Sequence, residues 1–180
     1  YYGEDSFRAK QKIGALVDKF TKQVEKSRHD IEWLDGESIT PDDFFRVVTT
    51  VGFLAEKKLV IVKNILANKK LADWQDALLK FLDKQKETPE ENYIIFWQTN
   101  KPDARLKLFK RFSKFKYCEE FTPLHSGKLP AWIKQRASIY NKTISEGAIK
   151  LLINYVGNDL WQMSQEIQKL ANYSNASEIT

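Results

Sequence analysis

Leu59-Val60-Ile61-Val62 and Tyr93-Ile94-Ile95-Phe96-Trp97 are the two stretches that decide the fold. Each is a continuous apolar run rich in β-branched or aromatic residues, which is typical of strands covered on both faces, as in parallel sheets. Shorter strands are predicted at residues 1–2, 31–34 and 117–121, and helical patterns lie between the strands. This alternation predicts an α/β domain with a five-stranded parallel sheet.

The helices of this domain are predicted from apolar spacing and from capping residues. One of them begins with Thr40 as the N-cap and Pro41 in the first helical position, and Gly52 is expected to end it. The others are predicted at residues 6–25, 69–86 and 103–115. Each of these helices would connect two strands that are consecutive in the sequence.

The pattern changes after Pro123, beyond which no strand is predicted. Three helices are expected there, at Leu129–Ala137, Ser145–Val156 and Asn158–Tyr173. We therefore expect two domains, an α/β domain over residues 1–122 and a small three-helix domain over residues 123–180.

Composition limits the possible classes of protein. The 180 residues carry a formal net charge of +5, which permits a polyanionic partner without requiring one. A single cysteine, Cys118, excludes an internal disulfide, and with only His29 and His125 beside it a metal cluster is not expected. Since no signal peptide or membrane-length apolar run is present, we expect a cytoplasmic protein without a membrane partner. The chain ends suggest a fragment of a longer protein.

Nucleotide hydrolysis is the activity that a five-stranded α/β domain followed by a helical domain first suggests. A phosphate loop needs two glycines at fixed spacing, a lysine and a hydroxyl residue. The first strand is instead followed by Gly3-Glu4-Asp5-Ser6-Phe7-Arg8, which lacks the second glycine and the lysine and places two acids where phosphates would lie. The third strand ends in Val62-Lys63-Asn64, without an aspartate for magnesium, and Gly127-Lys128 lacks the rest of the motif. We therefore expect neither ATP hydrolysis nor a cofactor.

No other catalytic motif is found in the sequence. His29 and His125 lie in polar junctions and are predicted to be solvated loop residues. The acidic pairs at residues 90–91 and 119–120 consist of adjacent residues, which point to opposite faces of a strand and so form no carboxylate dyad. We assign no catalytic or metal-binding residue, and intrinsic catalysis is not expected.

Positive charge is concentrated between residues 101 and 116, where seven Lys and Arg residues face one acid, Asp103. Helical spacing places four of them on one face: Lys107, Lys110, Arg111 and Lys114. This face could bind the phosphates of DNA or an acidic protein, and the alternative is an ordinary solvated helix face.

Phe53 and Leu54 form a large apolar pair between the expected helix end at Gly52 and the charged residues 56–58. Periodicity favours a place in the core for the pair, because large apolar residues are usually buried. The alternative is an exposed anchor that enters the pocket of a partner protein.

Four segments resemble, in order, the delta subunits of bacterial DNA polymerase III. From first to last they span nearly the whole chain, and they read Tyr2-Gly3-Glu4-Asp5-Ser6-Phe7, Phe53-Leu54-Ala55-Glu56-Lys57-Lys58-Leu59-Val60-Ile61-Val62, Asp103-Ala104-Arg105-Leu106-Lys107-Leu108, and Val156-Gly157-Asn158-Asp159-Leu160 followed by Glu166-Ile167-Gln168-Lys169-Leu170-Ala171-Asn172-Tyr173. The resemblance implies an AAA+-like domain without a working nucleotide site, then a helical lid domain. The family's third, collar domain would lie outside this chain.

The resemblance also implies a function in DNA replication. Family members belong to the clamp loader of the DNA polymerase III holoenzyme, a nucleotidyltransferase, together with ATP-hydrolysing tau/gamma subunits and a delta-prime subunit. They bind the β sliding clamp and help to open it, and they contact DNA mainly within the assembled loader. The family's clamp contact, a hydrophobic pair at a helix tip, falls on Phe53 and Leu54. The alternatives are an ATP-hydrolysing AAA+ protein of this fold and an autonomous nucleic-acid-binding protein.

Overall fold

The computed structural model describes residues 1–23, 30–50, 57–84 and 92–180, which form two compact units, Tyr1–Phe121 and Thr122–Thr180. The first unit contains helix α1 (Ser6–Gln23), strand β1 (Ile31–Asp35), helix α2 (Pro41–Thr49), strand β2 (Leu59–Lys63), helix α3 (Leu71–Lys84), strand β3 (Tyr93–Trp97) and helix α4 (Lys107–Phe112). A short 3-10 turn, Ile65–Ala67, follows β2.

The sheet of the first unit has three parallel strands in the order β1-β2-β3. Ile31 is in register with Leu59, and Leu59 with Tyr93. The central strand β2 is buried from Leu59 to Val62, as its continuous apolar sequence predicts. The five-stranded sheet is not found, because the two other predicted strands provide only isolated parallel bridges, from Tyr2 to Gln98 and from Tyr2 to Glu120.

Helices cover both faces of this sheet, and alternate residues of β2 contribute to each core. One core contains Val60 and Val62 and is built with residues of α2, α3 and α4, namely Phe44, Val48, Leu71, Trp74, Leu78, Leu82, Leu108 and Phe112. The other contains Leu59 and Ile61 and is built with Ala9, Ile13, Val17, Phe20, Trp97 and Phe121. This two-sided burial is the environment that the sequence pattern of β2 indicates.

Helix α2 begins where the sequence predicts and ends earlier than expected. The Thr40 hydroxyl accepts a hydrogen bond from the Asp43 N–H at 3.2 Å, and Pro41 occupies the first turn. The helix ends at Thr49, and Thr50 is already extended while its N–H still donates to the Arg46 carbonyl. Gly52 therefore does not terminate α2, because the chain leaves the helical conformation before that glycine.

Helix α4 is also shorter than predicted, since it starts at Lys107 instead of residue 103 and ends at Phe112. Asp103 causes the late start. Its carboxylate accepts a hydrogen bond from the Arg105 N–H at 2.8 Å, which makes a local turn in place of the first helical turn. The predicted ends of α1 and α3, at residues 25 and 86, lie outside the described residues.

The second unit contains the three expected helices, α5 (Leu129–Ser138), α6 (Glu146–Val156) and α7 (Leu160–Tyr173), and a 3-10 turn at Ser126–Lys128. Ser145 caps α6 and Asp159 caps α7 through their side chains. The expectation of no strand is wrong, because β4 (Thr143–Ile144) pairs in parallel with β5 (Glu178–Ile179). Two residues are too few to produce an alternation visible in the sequence. Among the described residues, no helix is both long and apolar enough to cross a membrane.

Candidate functional site

The Gly3–Arg8 segment lies where a phosphate loop would be expected, and it consists of a short loop after the Tyr2 bridge and the first residues of α1, which begins at Ser6. Gly3 has φ of +125°, and a Cβ added there would lie 2.3 Å from the Phe121 carbonyl oxygen. Both the backbone angle and the lack of space require glycine. The Asp5 N–H then donates to the same carbonyl at 3.0 Å, which fixes the loop against residue 121.

The Asp5 side chain occupies the amino-terminal end of α1. It is only 6% exposed, and one of its oxygens accepts a hydrogen bond from the Arg8 N–H at 2.9 Å. Its other oxygen forms an ion pair with Nε of Arg8 at 2.5 Å. A helix start attracts anions because its N–H groups are free, and here the chain supplies the anion itself. A nucleotide phosphate brought to this position would face a buried carboxylate.

Asn64 occupies the position where a magnesium-binding aspartate was sought. Its backbone is left-handed, with φ of 57°. Its Oδ1 accepts hydrogen bonds from the Thr99 N–H at 2.9 Å and from the Thr99 hydroxyl at 3.1 Å, and its Nδ2 donates to Glu37 Oε1 at 2.7 Å. The side chain therefore links the segments that follow β1, β2 and β3 at the carboxyl edge of the sheet. Ligands of open α/β sheets bind at this edge, and here its polar groups bind one another.

An apolar cavity of about 730 Å³ also lies in the first unit. Its lining is mostly aromatic and aliphatic and includes Phe20, Ile94, Phe96, Phe112 and Phe115, and among the described residues it contains no Asp or Glu. The residues that line it do not provide the carboxylate that would bind a nucleotide-associated magnesium ion.

The four predicted residues of the basic face do not act alike. Lys107, Lys110 and Lys114 are exposed, and the part of the chain that the structure describes gives none of them an ion-pair partner. We call these three the α4 lysines, and Lys114 lies two residues after the end of the helix, so it is not on the helical face that the sequence predicts. Arg111 instead contacts α3, where its guanidinium forms an ion pair with Asp83 at 2.8 Å.

Further contacts of Arg111 fix it in the structure. Its guanidinium donates to the Leu82 carbonyl at 3.2 Å and lies 4.8 Å from the centre of the Phe115 ring, and its side chain is only 12% exposed. Arg111 therefore joins α4 to α3 and is withdrawn from the basic face. The sequence could not separate it from the α4 lysines, because its partner Asp83 lies 28 residues away.

Two other basic residues of the 101–116 stretch are paired with acids. Lys101 contacts Glu120 at 2.8 Å, and this hydrogen bond lowers the pKa of the Glu120 carboxyl. Arg105 contacts Asp103 at 2.7 Å, and its hydrogen bonds lower the pKa of Asp103 to about 2. The free positive charge of this region is therefore smaller than the sequence count indicates.

Phe53 and Leu54 lie outside the described residues, as does His29. The described chain stops at Thr50, just after α2, and resumes at Lys57, just before β2. The two flanks are joined by a residue that sequence reasoning missed, Asn92, which bonds to Thr50 on one side and to Lys58 on the other. No sequence signal identifies it, because these contacts span 42 and 34 residues.

Within the described ranges, no group of three or more His, Cys, Asp or Glu side chains could hold a metal ion. Burial raises the pKa of the Cys118 thiol, which disfavours the reactive thiolate.

Comparisons with known proteins agree in pointing to one family. The family model described as "DNA polymerase III, delta subunit" matches residues 1–121. The chain is 27% identical over 188 residues to DNA polymerase III subunit delta of Bacillus subtilis (strain 168), covering 99% of this chain and 53% of that protein.

A solved structure, the Bacillus subtilis DNA clamp loader delta protein, has a similar fold, with a TM-score of 0.64 at 24% identity. The similarity covers 99% of this chain and 54% of that one. The chain thus spans about half the length of these relatives.

Proposed function

This chain belongs to the DNA polymerase III delta-subunit family, and on that premise we propose that it acts in DNA replication as the delta subunit of a clamp loader. The family expected from the four sequence segments is thereby confirmed. The observation that carries the proposal is the family match over residues 1–121, which takes in the whole α/β unit. In this proposal the chain binds the β sliding clamp and helps to open its ring. It works in the cytoplasm beside tau/gamma and delta-prime subunits.

The chain contributes binding in this proposal, and other subunits contribute ATP hydrolysis. The Asp5 carboxylate at the start of α1 supports this division, because it opposes a phosphate at that position. The linked side chains of Asn64, Thr99 and Glu37 support it as well, because they bind one another where a nucleotide-associated metal would lie. The holoenzyme is a nucleotidyltransferase, and this subunit has no catalytic step of its own.

For the fold we propose an AAA+-like first domain followed by a helical lid. The bridges of Tyr2 to Gln98 and to Glu120 support this, because both are parallel and extend the strand order beyond β3 on one side. In the spatial order of the sheet, two further short strands would then lie beyond β3, first the strand of Tyr2 and next to it the strand of Glu120. The helices α5, α6 and α7 would form the lid domain.

We propose that Phe53 and Leu54 form the contact with the clamp. Their position between the end of α2 at Thr49 and the start of β2 at Leu59 supports this, because that segment connects a helix end to the central strand. An apolar pair exposed there would regain favourable burial in a partner's pocket, at about 1.5–3 kcal/mol for each side chain.

The test is the affinity of the full-length protein for its cognate clamp. We expect the double variant Phe53→Ala/Leu54→Ala to bind about 100-fold more weakly, since two such side chains lose several kcal/mol and each 1.4 kcal/mol is tenfold. A matched control is Leu151→Ala/Tyr155→Ala, which also removes an exposed aliphatic and an exposed aromatic side chain. The control should bind as the wild type does. Equal affinity of all three proteins would refute the assignment.

A second proposal concerns the α4 lysines, which we propose bind a polyanionic partner in the assembled loader. Their exposure and their lack of ion-pair partners in the described chain support it. The polyanion is the DNA backbone, and an acidic face of a neighbouring subunit is the alternative. Arg111, predicted to belong to this face, is better regarded as a packing residue because of its contacts with Asp83 and Phe115.

A further inference from the structure

Asn92 lies one residue before β3 and connects three points of the backbone. Its Oδ1 accepts a hydrogen bond from the Lys58 N–H at 2.7 Å. Its Nδ2 donates to the Val48 carbonyl and to the Thr50 carbonyl, each at 2.9 Å. One carboxamide therefore uses both of its donor hydrogens and one acceptor position on backbone groups far away in sequence.

These three partners lie on either side of residues 51–56. Val48 and Thr50 belong to the end of α2, where helical carbonyls lack partners within the helix. Lys58 directly precedes β2. Asn92 thus satisfies the free end of α2 and, through the same side chain, fixes the distance from that end to the first residues before the central strand.

We infer that Asn92 is a positioning residue for the clamp contact, because it holds together the two flanks of the segment that carries Phe53 and Leu54. The inference rests on the proposed function. Holding the flanks in place before a partner arrives reduces the ordering entropy that binding must otherwise overcome. Asn92 need not touch the clamp to have this effect.

The shape and chemistry of the side chain fit the role. An aspartate in its place could still accept from the Lys58 N–H, but its carboxylate would repel the carbonyl oxygens of Val48 and Thr50. An alanine would leave all three backbone groups without their side-chain partner. Both changes would therefore release the end of α2 from the start of β2.

Asn68 provides a matched comparison in the same unit. Its Nδ2 donates to the Gly36 carbonyl at 2.8 Å and to the Ile39 carbonyl at 3.0 Å, and its Oδ1 accepts from the Lys70 N–H at 2.9 Å. It makes the same three kinds of hydrogen bond as Asn92 and is more deeply buried. Its partners do not flank the segment with Phe53 and Leu54, so its loss should affect stability alone.

The experiment measures clamp affinity and amide hydrogen exchange in the full-length protein, well below the melting temperature of each variant. We expect Asn92→Ala and Asn92→Asp to bind the cognate clamp about tenfold more weakly. Exchange over residues 51–58 should be severalfold faster in both. Asn68→Ala should lose at least as much thermal stability, but keep wild-type affinity and wild-type exchange over residues 51–58.

Three results would count against the inference. Unchanged exchange over residues 51–58 in Asn92→Ala would show that the residue does not hold the flanks. Wild-type affinity of Asn92→Ala, with Phe53→Ala/Leu54→Ala weakened, would leave Asn92 a structural residue only. Wild-type affinity of Phe53→Ala/Leu54→Ala itself would refute the proposed clamp contact, and with it the role of Asn92 in positioning that contact. The exchange measurement would still show whether Asn92 holds the two flanks together.

Discussion

The Gly3–Arg8 segment and the α4 lysines differ in whether their charged side chains have partners within the described chain. In the loop, the buried Asp5 carboxylate is satisfied by the Arg8 backbone and guanidinium, so the helix start is closed to other anions. By contrast, Lys107 and Lys110 of α4 and Lys114, two residues after its end, are exposed and unpaired among the described residues. The difference indicates that the acid at the start of α1 serves the internal structure of this unit, whereas the three lysines leave positive charge available on its surface.

The substitution Gly3→Ala, in the Gly3–Arg8 segment, is expected to destabilise the protein most. The new Cβ would lie 2.3 Å from the backbone oxygen of Phe121, at a positive φ that alanine rarely adopts. We expect a loss of about 3 kcal/mol or more in the free energy of unfolding. Denaturant unfolding measures it.

Gly14→Ala is the control, because a Cβ there meets nothing within 4 Å in the middle of α1. That change should be neutral or stabilise the protein by up to about 1 kcal/mol. Similar stability of the two variants would contradict the description of the loop.

Asp5→Ala should have the next largest effect. It removes the cap of α1 and the partner of Arg8, and a lost cap alone typically costs 0.5–2 kcal/mol. Because Arg8 is 30% exposed and can reach water, we expect a total of about 2 kcal/mol, and not the larger cost of a fully buried unpaired charge. Thermal or denaturant unfolding measures it. Asp5→Asn keeps an acceptor for the Arg8 N–H and should lose less, and equal losses would assign the effect to the ion pair instead of the cap.

The smallest effect on stability is expected when the exposed α4 lysines are replaced. The triple variant Lys107→Glu/Lys110→Glu/Lys114→Glu should change the free energy of unfolding by less than about 0.5 kcal/mol, since the side chains are exposed. DNA binding by the assembled loader should weaken, and the salt dependence of that binding should become less steep. A titration at several salt concentrations measures both quantities.

The matched control reverses three exposed lysines of α1, Lys12, Lys19 and Lys22, and so makes the same change in net charge. If both triple variants lost DNA affinity equally, net charge would be responsible and the α4 lysines would be a solvated face. Weakened assembly of the loader with DNA affinity retained would point to an acidic neighbouring subunit.

The parts of the fold that the sequence predicts are those whose signal is local. The apolar run of β2 and the Thr40-Pro41 helix start are both found as predicted, because each depends on neighbouring residues. The pairing of β4 with β5 was missed, because it joins two-residue strands through contacts across the chain. The two single-residue bridges of Tyr2 show the same limit, since strand length there is decided by tertiary pairing.

The features of the candidate site also separate into those visible in the local sequence and those that depend on contacts between distant residues. The absence of phosphate-loop residues and the presence of acids in their place are visible in the order of residues 3–8, but the hydrogen bonds between Asp5 and Arg8 appear only with the fold. Arg111 was grouped with three lysines because helical spacing describes one helix and not its neighbour, where Asp83 lies. Asn92 was missed because a side chain that joins distant backbone groups has no sequence periodicity.

In the proposed function, this protein binds the sliding clamp through a protein surface and without a nucleotide. The most direct measurement is a calorimetric titration of the full-length protein with its cognate clamp, with and without Mg-ATP, for the wild type and for Phe53→Ala/Leu54→Ala. We expect the wild type to bind the clamp with the same affinity under both conditions, the double variant to bind it about 100-fold more weakly, and Mg-ATP titrated alone to give no heat of binding. Micromolar, magnesium-dependent ATP binding, or a double variant that binds the clamp as the wild type does, would contradict this expectation.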